Sequence, residues 1–176
     1  MVATDNTVSI WKAGKEDIPL IHDMADVVFR HTYRHILSKE QMEYMMEWMY
    51  SLPNLELQMQ EGHVYYIASL DGAPAAYLSI QRPENAECPP LTFHLQKIYV
   101  MPGFQGQGLG VKLLEKAVEH VRSLSDGRPA RMELNVNRAN KAVGFYSKMG
   151  FRILRQGDFP IGNGFYMNDY IMGLDI

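Results

Sequence analysis

The chain has 176 residues, 47% hydrophobic and 21% charged, which fits one folded domain with a full core and excludes a disordered or fibrous chain. Lys and Arg number 17 against 20 Asp and Glu, and the net charge of −3 excludes the strongly basic footprint of a nucleic-acid binder. No stretch approaches the roughly 20 apolar residues that span a bilayer, and the short polar start carries no charged-then-apolar leader. The single cysteine, Cys88, excludes an internal disulfide, so cytoplasmic residence is expected.

In chain order, Val8–Ala13 alternates and predicts a first strand. Asp17-Ile18-Pro19 opens a helix, with Asp17 as N-cap and Pro19 in the first turn; Ile21, Met24, Ala25, Val28 and Phe29 follow at helical spacing. Ser38 with Gln41 three residues on reads as a capping box, and the helix runs to about Tyr50, where Leu52-Pro53 ends it. A short helical piece is predicted at Leu55–Glu61. His63–Leu70 and Ala73–Gln81 are strands joined by Asp71-Gly72, a two-residue hairpin turn. Pro83–Pro90 is a polar loop that contains Cys88.

Leu91–Val100 is the next strand, Gly108–Leu124 a helix, Arg131–Val136 a strand, Asn140–Met149 a helix, and Phe151–Arg155 and Phe165–Leu174 the last strands. No composition shift marks a linker, so residues 1–176 read as one α/β domain with a mixed sheet and helices on both faces.

Ile98 to Val111 is the most informative stretch. An apolar strand enters a glycine-dense turn, Gly103, Gly106, Gly108 and Gly110, and the turn opens a helix. Glycines let the backbone approach a ligand, and the first N–H groups of a helix are unpaired, so phosphate or pyrophosphate is the natural guest. The dinucleotide pattern fails because Val111 stands where its third glycine belongs, and the P-loop pattern fails because Leu109 stands where lysine is required. What remains is Q-x-x-G-x-G, carried by Gln105, Gly108 and Gly110. Downstream, Asn140, Ala142, Phe145, Tyr146, Gly150 and Phe151 form a second motif on a turn and short helix.

Together the two motifs resemble the GNAT superfamily of acetyl-CoA-dependent N-acetyltransferases, and more loosely its bacterial spermidine/spermine acetyltransferases through His31–Gln41. The specific part of the resemblance is Gln96–Phe151. It implies a mostly antiparallel sheet splayed at its central strands, with acetyl-CoA as cosubstrate. Backbone N–H groups of Gln105, Gly106, Gln107, Gly108, Leu109 and Gly110 then hold the pyrophosphate, with Val111 starting the helix. Ile98, Tyr99 and Val100 pair with the pantetheine arm, Asn140 hydrogen-bonds it with Asn137 assisting, and Phe145 and Lys148 sit beside the adenosine or pantetheine end. Lys112 and Lys116 read as solvated helix positions.

Tyr146 matches the family's general acid, which protonates the leaving thiolate. An alkylamine of pKa ~10.4 is neutral to only about one part in 10³ at pH 7, so a base is expected. Some family members carry a Glu on the central strand. This chain has His94 there, and a water relay to another group is the alternative.

On the acceptor side, Met42, Met45, Met46 and Met49 read as a core stripe. Glu40, Glu43 and Glu47 are candidate contacts for a cationic amine, with a solvated face as the plain alternative. The implied reaction is direct attack of a primary amine on acetyl-CoA in a ternary complex. The acceptor is a polyamine, another small cationic amine or a peptide amine, and the protein is a monomer or homodimer. The missing strand Glu leaves open a catalytically weak acyl-CoA-binding sensor. No metal is expected, because His31 and His35 lack a third ligand, and Cys88 has no motif around it that suits a nucleophile.

Overall fold

The computed structural model describes residues 7–81 and 90–176, so Cys88 and the expected loop up to residue 89 lie outside the described residues. The strands are β1 (Val8–Lys12), β2 (His63–Leu70), β3 (Ala73–Gln81), β4 (Leu91–Val100), β5 (Ala130–Asn137), β6 (Arg152–Gly162) and β7 (Phe165–Asp175). The helices are α1 (Ile18–Tyr33), α2 (Lys39–Tyr50), α3 (Leu52–Gln60), α4 (Leu109–Ser125) and α5 (Ala142–Lys148). The strands form one sheet in the order β1-β2-β3-β4-β5-β7-β6. Among the described residues only β4 and β5 run parallel; the other neighbours are antiparallel. The mixed sheet expected from the sequence is therefore present, and so are helices on both faces. Among the described residues no helix is long and apolar enough to cross a membrane.

Local chemistry explains most boundaries. Asp71 and Gly72 both take positive φ, 51° and 83°, as a tight turn with the strands' twist requires. Asp17 holds the N-cap position of α1, as expected, but its side chain makes no cap bond to that helix. Its carboxylate accepts from Gly14 N at 2.9 Å and closes a 3-10 turn, Lys15–Asp17, that feeds the helix. Ser38 does cap α2, its hydroxyl accepting from Gln41 N at 3.1 Å. The Gln41 side chain does not complete the box, because it donates to Tyr166 O at 2.8 Å on the arriving β6–β7 hairpin. Ser51 ends α2 and caps the next helix, so α3 starts at Leu52 with Pro53 in its first turn rather than at Leu55.

The largest difference from expectation is β6, which runs to Gly162 rather than stopping at Arg155. Gly157 and Pro160 interrupt its pattern, but β6 is an edge strand paired only with β7, where a proline costs no inner hydrogen bond. Asn163 and Gly164, at φ 53° and 75°, turn the chain back into β7.

Two cores flank the sheet. Under α4 the buried side chains are mainly aliphatic, among them Leu78, Ile80, Leu91, Leu113, Leu114 and Met132. Under α1, α2 and α3 they include Tyr33, Tyr50, Tyr65 and Tyr77 together with Met42, Met45 and Met46. The methionine stripe of α2 is core.

Candidate active site

The site begins with a failure of pairing. β4 and β5 are paired only from Leu91–Ala130 to His94–Glu133. Beyond that rung Leu95–Val100 pairs with β3 and Leu134–Asn137 with β7, and among the described residues the two strands no longer pair with each other. A bulge accompanies the parting: Ser79 and Ile80 are consecutive on β3, but their partners are Lys97 and Leu95. Gln96 is the surplus residue, and its amide donates to Gln81 at 2.7 Å. A bulge bends and over-twists its strand, so the second half of β4 swings away from β5. The result is a V-shaped slot whose β4 edge can take an extended ligand as an added strand. Ile98, Tyr99 and Val100 lie on this free half.

The glycine turn follows at the open end. Gly103, Gly106 and Gly108 take φ of 88°, 79° and 78°, and a β-carbon on any of them would meet nothing within 4 Å. The turn is thus an open cradle whose backbone needs glycine for its shape rather than for close packing. Gln105 folds back, its amide donating to Val100 O at 3.3 Å, while Gly106 and Gln107 are exposed. The helix starts at Leu109, not at Val111, with Gly108 as its N-cap. Its first amides have no carbonyl within the helix to bond, which suits an anion. Gly110 has a different reason: a β-carbon there would lie 3.3 Å from Phe145 Cζ, so it lets α5 approach α4. Phe145 accordingly packs on Gly110, and Lys148 is exposed one turn further on. Lys112 is exposed, as expected of a solvated helix position, and the half-buried Lys116 lies 3.5 Å from Glu119.

The second motif is built by its own asparagines. Asn137 Oδ1 accepts from Ala139 N, and Asn140 Oδ1 accepts from Ala142 N, both at 2.9 Å. The latter bond starts α5 at Ala142 rather than at Asn140. Asn140 Nδ2 is thereby turned toward Tyr33 Oη, 3.5 Å away. Tyr33 and Tyr99 share a hydroxyl–hydroxyl hydrogen bond at 3.0 Å. Tyr146 is 7% exposed, its ring 5.5 Å from Phe145 and 5.7 Å from Phe151. Burial, and then the neighbouring Tyr33, push its phenol well above the ordinary tyrosine range. It stays protonated at any physiological pH and can give a proton, not take one.

His94 stands on the last paired rung, at the apex of the slot, opposite Glu133 of β5 and Gln81 of β3. Burial is the main cause that lowers its pKa; Glu133 pulls it up and Arg155 pushes it down. The imidazole is therefore neutral at pH 7 and able to accept a proton.

The acidic face of α2 is divided. Glu43 is held by both Nη atoms of Arg30, which also binds Asp26 at 2.8 Å, whereas Glu40 and Glu47 are exposed. Glu43 is thus occupied by a cation of its own fold.

Sequence reasoning missed four groups around the slot. Tyr33 meets Tyr99 across 66 residues. Asp169 of β7 is 1% exposed; burial raises its carboxyl pKa, and Asn135 Nδ2 donates to it at 3.3 Å. Glu133 binds Arg155 at 3.2 Å. Lys97 is buried, donates to Gln58 Oε1 at 2.9 Å and lies 4.6 Å from the centre of the Tyr50 ring. Burial lowers the Lys97 ammonium to about 7. A polar residue inside an apolar strand was the available signal for Lys97 and Asp169; the other two contacts are long-range.

Comparison with known proteins gives a consistent result. The model of the acetyltransferase (GNAT) family matches residues 29–151. An uncharacterized N-acetyltransferase of Mycobacterium tuberculosis is 31% identical over 103 residues, 58% of this chain and 60% of that protein, so the match spans less than two thirds of the relative. The peptidyl-lysine N-acetyltransferase YjaB of Salmonella typhimurium is 41% identical over 61 residues, 34% of this chain and 37% of that protein. The crystal structure of the PaiA N-acetyltransferase of Thermoplasma acidophilum in complex with coenzyme A shares the fold, with a TM-score of 0.77 at 22% identity, over 97% of this chain and 99% of that one.

Proposed function

The chain belongs to the acetyltransferase (GNAT) family, and on that premise we propose that it transfers an acetyl group from acetyl-CoA to a primary amine by direct attack in a ternary complex. The observation that carries the reading is the unpaired half of β4 leading into the open glycine cradle at Gly103–Gly108. An extended arm ending in a pyrophosphate fits that combination, and a compact nucleotide does not use the strand edge.

In this reading the amides from Gln105 to Gly110, with Val111 behind them, hold the pyrophosphate, while Ile98, Tyr99 and Val100 offer backbone to the pantetheine. Asn140 contributes its Nδ2, and Asn137 shapes the turn that presents it. Phe145 and Lys148 flank the cofactor's outer part. Acetyl-CoA supplies the activated thioester. His94 takes a proton from the incoming ammonium, since only about one part in 10³ of an alkylamine is neutral at pH 7. The neutral amine attacks the thioester carbonyl and the carbon–sulfur bond breaks; Tyr146 gives its phenolic proton to the departing sulfur, and the second nitrogen proton goes to the resulting phenolate, which restores Tyr146.

The acceptor in this reading is a polyamine or another small cationic amine. The exposed Glu40 and Glu47 favour it by long-range attraction, with Glu43 contributing less because Arg30 offsets its charge. A lysine side chain in a peptide has the same alkylammonium, and the name of the Salmonella relative adds it to the candidates.

The test is release of free CoA thiol from acetyl-CoA across polyamines, amino acids, aminoglycosides and lysine peptides. Saturable release with one class identifies the acceptor. Tight acetyl-CoA binding with no release for any amine would overturn the enzyme reading in favour of an acyl-CoA sensor.

A further inference from the structure

The rung where β4 and β5 part holds a short array of charge. His94 and Glu133 are direct partners on it, on the face of the sheet that looks toward α1–α3. Neighbouring strands lie about 4.8 Å apart, so the two side chains stand side by side. Among the described residues Glu133 is the carboxylate that acts on the imidazole, and its side chain is 14% exposed, so its charge is weakly screened. The partner of Glu133 on β7 is Gly173, so no β7 side chain stands on that rung. Arg155, on β6, reaches across and binds Glu133 Oε1 with Nη1 at 3.2 Å. The remaining neighbours are Gln81 on β3 and His63 on β2, both on the same row of the sheet. Burial, Lys97 and His94 hold His63 down at about 4, so it is neutral and adds no charge near pH 7.

We propose that Glu133 is a positioning residue for His94, an anionic partner that favours proton uptake by the imidazole, and that Arg155 limits it by sharing the same carboxylate. This rests on the reading of His94 as the base. The step is balanced: the acceptor ammonium gives one proton to a ring nitrogen of His94, leaving a neutral amine and an imidazolium beside a carboxylate. The imidazolium returns the proton to solvent after transfer. Glu133 touches no reacting atom; it acts through His94. Burial holds the imidazole below its ordinary range; against that background Glu133 raises it and Arg155 lowers it.

The two neighbours act in opposite directions, and that makes the inference testable. The protein is labelled with ¹³C-histidine, the His94 signal is assigned from its loss in His94→Gln, and its titration midpoint is followed alongside the pH dependence of kcat/KM for the amine. Glu133→Gln should lower both the midpoint and the acid limb by about half a pH unit or more, and Arg155→Met should raise both. A structural role for the ion pair would move melting temperature and leave both midpoints in place. Midpoints unmoved in both variants overturn the proposal and leave His94 as base intact. Midpoints that shift in opposite directions while the rate profile stays fixed also overturn it, by removing His94 as the base.

Discussion

The two faces of the sheet are held together in different ways. Under α4 the core is mainly a packing of Leu, Ile, Val, Ala and Met side chains, with Phe93, Phe151, Tyr66 and Tyr146 among them and few polar atoms to satisfy. Under α1–α3 the core is phenolic: Tyr50 bonds Tyr77 at 2.7 Å, Tyr33 bonds Tyr99 at 3.0 Å, and Tyr65 donates to Gln58 at 2.6 Å beside Lys97. The first kind of core is non-directional and depends on area and volume. The second is a set of mutual obligations, in which removing one hydroxyl leaves another buried and unpaired. The slot lies where the two meet, with Tyr146 rooted in the aliphatic side and Tyr33 and Tyr99 reaching it from the phenolic side. The aliphatic wall gives rigidity, and the phenolic wall gives polar atoms held in place by one another.

The comparison is broken most strongly at Tyr146, one of two tyrosines, with Tyr66, buried in the mainly aliphatic core. Tyr146→Phe keeps the packed ring and removes the proton. Turnover should fall 10²–10⁴-fold with acetyl-CoA affinity and melting temperature little changed, as steady-state kinetics and calorimetry will check. Turnover within threefold of the parent, with chemistry rate-limiting, makes Tyr146 a packing residue.

Next in size is a matched pair of core variants. Leu113→Ala on the aliphatic face should cost about 2–5 kcal/mol in denaturant melts, the ordinary cost of a cavity. Tyr77→Phe removes one oxygen and no volume. It should still cost about 1–3 kcal/mol, because the buried Tyr50 hydroxyl loses its partner. Equal stability of Tyr77→Phe and parent would mean that the phenolic face behaves like the aliphatic one.

Lys97 sharpens the contrast through pH. Its pKa is lowered to about 7 by burial, against about 10.5 for an ordinary lysine. Between those values the unfolded chain holds a proton that the folded chain has released, so stability rises with pH across the window, by up to about 1.4 kcal/mol per pH unit. Ionisation of unfolded tyrosines closes the window near pH 10. Lys97→Met should flatten the slope between pH 7 and 9 in urea melts, and an unchanged slope would assign it to other groups.

The smallest effect is expected outside both cores. Glu40→Gln with Glu47→Gln should raise the acceptor KM about two- to threefold at low salt and leave the cofactor KM alone, with the difference vanishing as ions screen the face. Acceptor kinetics indifferent to both changes would make this face of α2 a solvated surface.

What could be read from the sequence was local. Asp71-Gly72, the glycine turn and the Asn140–Phe151 motif each place their chemistry within a few residues of backbone. The distant partnerships were not legible, because nothing near Tyr33 announces Tyr99, and nothing near His94 announces Glu133 on a strand 39 positions later. Gln41 shows the opposite error: a valid local signal overruled when the β6–β7 hairpin offered Tyr166 O. Asn163-Gly164 was a hairpin signal as strong as Asp71-Gly72. Gly157 and Pro160 obscured it, and only the edge position of β6 makes them tolerable.

Gln96 bears on how such a site can arise and be lost. Leu95 and Lys97 already face opposite sides of the sheet, so deleting the residue between them keeps every flanking side chain on its present face and removes only the bend. The core would be unchanged in composition while the two strands could zip together. Substitutions alter what lines the opening, but a change in length decides whether there is an opening at all. The slot is in this sense a matter of counting: one residue too many in a single strand, a property that point mutation does not reach and that a tally of matching residue types does not register.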